Sequence, residues 1–192
     1  MSTRGSAAPG GPPDVVHTDR LTLRPFTAAD ADALFEVFRR PEVARWSGNG
    51  EPMTDRQQAV DRIARQPVRA GDHPATAILA VCPDPSDAPV GLVMLIPLPA
   101  SEGSSRDDVE IGWHLHPDAW GHGYATEAAR AMVERARAGG IPTVHAVTHP
   151  DNVRSQAVCA RLGMSDLGLR EDWYDRRLRA FRLDLGPVVA DQ

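Results

Sequence analysis

The stretch Pro117-Asp-Ala-Trp-Gly-His-Gly-Tyr-Ala-Thr-Glu127 joins two segments of different periodicity. Before it, residues 109–116 alternate apolar with polar side chains or glycine, which is typical of a β-strand with two different faces. After it, apolar residues recur at helical spacing until Gly139 and Gly140 end the pattern. A glycine turn that leads from a strand into a helix leaves backbone N–H groups free to bind phosphate. The sequence therefore predicts a phosphate-binding loop at this junction.

Two common nucleotide-binding loops fit this stretch poorly. The Walker loop requires a lysine, whereas all 21 basic residues of this chain are arginine. The dinucleotide fingerprint requires a third glycine or alanine at the position that Thr126 takes here. The sequence therefore disfavours a nucleotide-binding module, which would require ATP or NAD to protect the protein thermally.

The segment Trp120-Gly-His-Gly-Tyr-Ala125 resembles the acetyl-CoA loop of the GCN5-related N-acetyltransferases, the GNAT superfamily, whose pattern is Gln/Arg-x-x-Gly-x-Gly/Ala. Trp120 replaces the first Gln or Arg, which is common in the RimJ/RimL-like branch that this chain resembles over roughly residues 16–185. The resemblance implies that backbone amides of this loop hold the CoA pyrophosphate. The residues assigned to it are Trp120, Gly121, His122, Gly123, Tyr124, Ala125 and Thr126.

Composition limits the class of protein. A length of 192 residues suits one domain with a core of its own, and we expect this domain to span residues 14–187. Residues 1–13 are rich in Gly, Pro, Ala and Ser, which predicts a flexible tail. The formal net charge of −5 disfavours nucleic acid or an anionic membrane as the main partner, and no apolar run approaches the length of a membrane span.

The two cysteines, Cys82 and Cys159, lack the spacing of a metal site or of a disulfide framework, which favours a reducing cytoplasm. His114 and His116 share one face of a strand, but no further ligand at suitable spacing completes a metal site. We therefore expect no metal ion in this protein. We expect a monomer or a homodimer.

The periodicity along the chain predicts, in order, a strand, two helices, three strands, a helix, a strand, a helix and two strands. Thr54 is expected to cap the second helix and Pro67 to end it. This order indicates one α/β domain, in which about four helices flank a mixed, mostly antiparallel sheet of about seven strands. The GNAT superfamily that the chain resembles has the same order, which implies a single GNAT-type domain. The resemblance further implies that the fourth and fifth of these strands splay apart to admit CoA.

The activity implied by the resemblance is direct transfer of an acetyl group from acetyl-CoA to a primary amine. Glu110 is the candidate base, because the family often places an acidic residue in a context that matches Glu110-Ile-Gly-Trp113. A buried carboxylate there would have a raised pKa, suited to taking a proton. His114 shares the face of Glu110 and competes for this role, and a polar residue on the solvated side of a strand is the alternative for Glu110.

Two further segments complete the implied site. The backbone of Trp113, His114 and Leu115 lies where the family pairs with the pantetheine arm, while the side chains of Trp113 and Leu115 are expected in the core. The sequence Asn152-Val-Arg-Ser155 matches the family's Asn-x-x-Ser. The match implies that Asn152 lies near the pantetheine and that Ser155 protonates the CoA sulfur. Alternatively, Asn152 is a helix N-cap to which Ser155 bonds back.

The acceptor is the least defined part of the sequence. The resemblance allows either a protein N-terminal α-amine or a small-molecule amine. It also implies that Trp46, residues 47–52 and the cluster of residues 171–175 wall the acceptor site. A domain that binds CoA or acetyl-CoA for sensing or interaction and has lost catalysis is the alternative function.

Overall fold

The computed structural model describes residues 15–186, so the tail expected over residues 1–13 and the domain limits at residues 14 and 187 lie outside the described residues. Within that range the strands are β1 (Val16–His17), β2 (Leu21–Pro25), β3 (Ala77–Pro83), β4 (Gly91–Leu98), β5 (Asp108–Leu115), β6 (Thr143–Thr148), β7 (Ser165–Arg170) and β8 (Leu178–Asp184). The helices are α1 (Ala31–Phe38), α2 (Pro41–Ala44), α3 (Arg56–Ala64), α4 (Gln66–Ala70), α5 (Tyr124–Ala138) and α6 (Val153–Arg161).

All eight strands form one sheet in the order β1-β2-β3-β4-β5-β6-β8-β7. Neighbouring strands are antiparallel except β5 and β6, which are parallel. The α/β fold with a mixed, mostly antiparallel sheet is therefore confirmed. The described residues hold eight strands and six α-helices where about seven and about four were expected, because β1, α2 and α4 are too short to show a period.

The predicted limits of the second helix were wrong. Asp55, not Thr54, is the N-cap of α3, since the Asp55 side chain accepts a hydrogen bond from the Gln57 N–H and Gln58 completes a capping box. Pro67 does not end a helix but lies in the first turn of α4, where its missing N–H costs no hydrogen bond.

The sheet separates two apolar cores. On one face, Val93 and Leu95 of β4 belong to a core that includes the buried face of α5. On the other face, Leu92, Met94 and Ile96 pack with residues of α1 and α3. This alternation follows from the two-residue period of a strand that is covered on both sides. No helix within residues 15–186 is long and apolar enough to cross a membrane.

The β5–β6 pair determines where the site lies. The only registered pair between these two strands is Glu110 with His145. Residues 111–115 of β5 and 146–148 of β6 line a common cleft beyond that pair. This arrangement agrees with the expected splaying of the fourth and fifth predicted strands.

Candidate active site

The cleft between β5 and β6 has a volume of about 1490 Å³. Its walls include the outer half of both strands, the turn and first residues of α5, and the N-terminal half of α6. Two helix N-termini thus border one cavity, and unpaired N–H groups at helix N-termini favour a bound anion.

The glycine turn at this end of the cleft has the backbone that a phosphate loop requires. Gly121 and Gly123 both have φ of +83°, a conformation that side chains strongly disfavour, and Gly123 is the N-cap of α5. A Cβ atom on Gly121 would meet no atom within 4 Å, so the backbone is open on that side. His122 is exposed and does not line the cleft. Its ring stacks on the Tyr124 ring, with the two centroids 5.4 Å apart. The other six assigned loop residues line it: Trp120, Gly121, Gly123, Tyr124, Ala125 and Thr126.

Trp120 links the loop to the edge of β5. Its indole N–H donates a hydrogen bond of 2.9 Å to the carbonyl oxygen of Leu115. The guanidinium of Arg154 lies over the indole ring, 4.4 Å from its centroid. The tryptophan that replaces Gln or Arg in the motif therefore donates a hydrogen bond to a carbonyl oxygen of β5 and makes a cation–π contact with Arg154 at the cleft wall.

Several arginines in the cleft wall were missed from the sequence. Arg20, Arg130 and Arg154 come from three separate segments but all line the cleft. Arg20 donates to the Glu127 carboxylate at 2.8 and 2.6 Å and to the His122 carbonyl at 3.0 Å. Only the fold brings these cations together, so sequence spacing holds no signal for them. Their charge and the open glycine turn fit the phosphates of acetyl-CoA.

Glu110 lies in the cleft wall at the point where β5 and β6 separate. Its side chain is buried, at 5% exposure, and its Oε2 accepts a hydrogen bond of 2.5 Å from the Tyr174 hydroxyl. Burial raises the pKa of the Glu110 carboxyl to about 7, although the Tyr174 bond and the charge of Arg69 act in the opposite direction. Glu110 is therefore not on a solvated face, and it has the ionisation that suits a base near neutral pH.

His114 also lines the cleft, and its environment differs from that of Glu110. Burial lowers the pKa of His114 to about 3, with a smaller effect from the charges of Arg62 and Arg69. Its ring packs on Phe38, with centroids 5.3 Å apart. An imidazole with so low a pKa stays neutral and is a poor proton acceptor at neutral pH, so the two pKa shifts favour Glu110 over His114 as the candidate base.

Asn152 and Ser155 meet at the start of α6. Asn152 is the N-cap, as the alternative interpretation held, and its Oδ1 accepts a hydrogen bond of 3.2 Å from the Ser155 backbone N–H. Both residues line the cleft, together with Trp113, His114 and Leu115. Within residues 15–186 the Ser155 hydroxyl has no hydrogen-bond partner, so it is free to meet a ligand. The catalytic and binding roles of these residues stay predictions.

The two cysteines are free and buried. Cys159 lines the cleft at 1% exposure, and burial raises the pKa of its thiol to about 12. Cys82 is 0% exposed, and burial also raises its pKa. Thiols in this state react slowly, because the thiolate is the reactive form.

The two groups of residues expected around the acceptor lie in different places. Trp46 lines the cleft together with Val43 and Met94. The acidic residues Glu171, Asp172 and Asp175 do not line it. Asp172, for example, pairs with Arg170 at 2.6 Å. Within residues 15–186, no group of three or more His, Cys, Asp or Glu residues is placed to hold a metal ion.

Comparison with known proteins connects this geometry with a family. Residues 20–165 match the family model described as an acetyltransferase (GNAT) domain. The chain is 27% identical over 161 residues to the uncharacterized N-acetyltransferase p20 of Bacillus licheniformis, covering 83% of this chain and 87% of the relative. It is 29% identical over 164 residues to the FsC-acetyl coenzyme A-N(2)-transacetylase of Aspergillus fumigatus, covering 83% of this chain and 68% of the relative.

A solved structure supports the same fold. The RimL ribosomal-protein alpha-N-acetyltransferase in complex with coenzyme A is similar to this chain with a TM-score of 0.71. The match covers 88% of this chain and 97% of that one at 13% identity. At this identity the similarity concerns the fold, and the RimJ/RimL-like branch stays a prediction for this chain.

Proposed function

This chain belongs to the acetyltransferase (GNAT) domain family, whose members use acetyl-CoA as the acetyl donor, and on that premise we propose that it acetylates a primary amine by direct attack. The observation that carries the proposal is the buried Glu110 carboxylate at the point where β5 and β6 separate, with its pKa raised to about 7. An amine must lose a proton to complete acetylation, and a base whose pKa lies near the working pH is best suited to accept it.

Acetyl-CoA, when bound, supplies the acetyl group as a thioester. The backbone amides of residues 120–126 and the guanidinium groups of Arg20, Arg130 and Arg154 would hold its phosphates. Beyond Glu110 the described part of β5 pairs with no strand on the β6 side. Apart from the Leu115 carbonyl, which accepts the Trp120 hydrogen bond, the backbone of residues 113–115 on that side is therefore available to the pantetheine arm, and an N–H there would donate to the thioester carbonyl.

The protons follow a complete path in this proposal. Glu110 accepts the amine proton, directly or through a water molecule, while the amine nitrogen forms the new bond to the acetyl carbon. The bond from that carbon to sulfur then breaks, and the Ser155 hydroxyl donates a proton to the leaving sulfur. Ser155 regains a proton from water and Glu110 releases its proton to water, which restores both groups. No nucleophilic residue of the enzyme is needed, because the acetyl group passes directly to the amine.

The acceptor is either a protein N-terminal α-amine or a small-molecule amine. The Aspergillus relative is named as an N(2)-transacetylase, whereas the structural neighbour RimL is named as a ribosomal-protein acetyltransferase. The free cysteines Cys82 and Cys159 support a cytoplasmic location as part of the proposal.

The first test follows radiolabelled acetyl-CoA incubated with the protein and with lysate of its source cells. Label that enters a few proteins after dialysis indicates a protein acceptor. Label that appears among small molecules only with undialysed lysate indicates a metabolite. Glu110→Gln and Ser155→Ala should each lower transfer while binding of CoA is retained.

Glu171→Gln is the matched control, because Glu171 is exposed and lies outside the cleft wall. This variant should transfer label at the wild-type rate. Absence of transfer above a no-enzyme background would support the non-catalytic CoA-binding domain instead. Transfer that Glu110→Gln and Ser155→Ala leave unchanged would contradict the roles assigned to these two residues.

A further inference from the structure

Three arginines on α3, on α4 and at the junction between them line a second cavity of about 370 Å³. Arg62, Arg65 and Arg69 lie on its helical side, whereas Ile78, Leu92 and Met94 of β3 and β4 contribute its apolar side. The cavity is small, and its polar lining is strongly basic in a protein whose formal net charge is −5. This local excess of positive charge requires an explanation.

The three guanidinium groups are not neutralised by salt bridges, although the charge of Arg69 acts on the nearby Glu110 carboxyl and Arg69 also interacts with Tyr174. None of them forms an ion pair within residues 15–186. Arg62 instead packs over the Phe38 ring at 3.9 Å, and Arg69 Nη2 lies 3.8 Å from Met94 Sδ. Burial and the charges of Arg69 and Arg65 lower the pKa of Arg62 to about 10. Cations that repel one another around a cavity are stabilised when an anion enters it.

Gln66 provides a second and independent observation. Its side chain is buried, at 8% exposure, and lines the same cavity. Its Nε2 has no hydrogen-bond partner among the described residues. A buried amide donor without an acceptor is costly, so the cavity is short of acceptor atoms. A carboxylate or phosphate oxygen would supply them.

The cavity adjoins the candidate catalytic base. Met94 lines both the cavity and the main cleft. A Cβ on Gly112 would lie 2.4 Å from Met94 Cε and 3.6 Å from Glu110 Oε1, so Met94 and Glu110 both lie close to Gly112. A methionine is a flexible partition, because its side chain has three rotatable bonds and no branch. A ligand that binds the arginines therefore lies within a short distance of Glu110.

We propose that the acceptor is a primary amine that carries an anionic group, a carboxylate or a phosphate, and that Arg62, Arg65, Arg69 and Gln66 bind this group while the amine reaches Glu110. The inference rests on the proposed function, since it names the class of acceptor for the same reaction. The anion is held by charge-assisted hydrogen bonds, and the small cavity limits it to one compact group.

Binding is tested first with inorganic phosphate, titrated by calorimetry into protein saturated with CoA so that the main phosphate loop is filled. Arg65→Gln and Arg69→Gln should each weaken phosphate binding at least about tenfold, because each removes a charged donor. Arg56→Gln is the matched control, since Arg56 lies on α3 but is exposed and pairs with Asp32. Equal binding by all the proteins, or no binding by the wild type, would overturn the inference.

Turnover distinguishes the two sources of the anion. β-Alanine, γ-aminobutyrate and their longer homologues are each compared with the alkylamine that has a methyl group in place of the carboxylate. Phosphoethanolamine is compared with ethanolamine in the same way. The anionic member of at least one pair should have a kcat/KM about tenfold or more above its neutral partner, and Arg65→Gln should reduce that ratio whereas Arg56→Gln should not.

The failures of the two proposals are distinguishable. Neutral amines acetylated as well as anionic ones would overturn the inference and leave acetyl transfer intact. Acetylation of none of these amines and of no component of the lysate would contradict the proposed function, while the phosphate titration would still decide whether the arginine cavity binds an anion.

Discussion

Replacing Glu110 by Gln should remove two pH dependences of the wild type. One is a rise of kcat with pH, and the other is a fall of the free energy of unfolding with pH. Catalysis requires the Glu110 carboxylate, so the wild-type kcat should rise with pH through about 7, the pKa of this group, and then level off. Gln keeps the size of the side chain and an oxygen that accepts the Tyr174 hydrogen bond. The variant should lack this rise and should be roughly a hundredfold slower or more, the usual contribution of a general base.

The stability effect follows from the same raised pKa. The Glu110 carboxyl has its ordinary pKa of 4.5 in the unfolded chain and a pKa of about 7 in the folded protein, so the folded protein binds more protons in this interval. Its free energy of unfolding therefore falls as the pH rises from about 4.5 to about 7. This pKa difference between the folded and the unfolded protein corresponds to about 3 kcal/mol in the free energy of unfolding. Because Gln cannot ionise, the free energy of unfolding of the variant should increase by about this much relative to that of the wild type as the pH rises over that interval.

Urea unfolding of both proteins at a series of pH values measures this difference without any acceptor. Subtracting the two free energies of unfolding cancels the contributions of groups that both proteins share. One of these is His114, whose lowered pKa makes stability rise with pH from about 3 to its ordinary pKa of 6.5. A stability difference that does not vary between pH 4 and 8 would refute the raised pKa. A pH–rate profile that survives Glu110→Gln with its rate intact would refute the assignment of the base.

Three other substitutions test neighbouring parts of the site. Tyr174→Phe removes the hydrogen bond that lowers the Glu110 pKa, so the rise in kcat should move upward by about one pH unit, measured with the same acceptor. Asn152→Ala should lower the free energy of unfolding by about 1 kcal/mol through loss of the helix cap, whereas Ser155→Ala should change it by less than about 0.5 kcal/mol and yet reduce turnover. Gly121→Ala should weaken CoA binding in calorimetry, because alanine disfavours a φ of +83° and adds a methyl group at the open face of the loop; unchanged affinity would place the phosphates elsewhere.

The parts of the fold that could be predicted are those with long periodic signals. The alternation of β5 and the apolar face of α5 identified a strand, a glycine turn and a helix, and the structure contains all three. The misses have local causes. β1 is a two-residue strand, α2 is a single turn, and Pro67 begins a helix instead of ending one. A proline interrupts a helix when it lies in the helix interior, but it is tolerated in the first turn of a helix.

The candidate site was predicted only where its residues are contiguous or follow a motif. Glu110 and the loop from Trp120 to Thr126 satisfy this condition. Arg20 does not, because it reaches the cleft from the segment just before β2, which lies far in sequence from both motifs. The contact between Tyr174 and Glu110 spans 64 residues. No periodicity reports such a pairing, because it depends on how β8 and its preceding turn sit against the sheet.

The burial of both cysteines has a practical consequence for measurement. Cys82 and Cys159 are 0% and 1% exposed, and burial raises the pKa of both thiols. A chromogenic disulfide reagent added to the native enzyme should therefore develop little colour from the protein itself. Free CoA released by turnover carries an unhindered thiol and should react at once. Continuous colorimetric screening of amine libraries is thus feasible on the unmodified chain, without cysteine substitutions or separation of products.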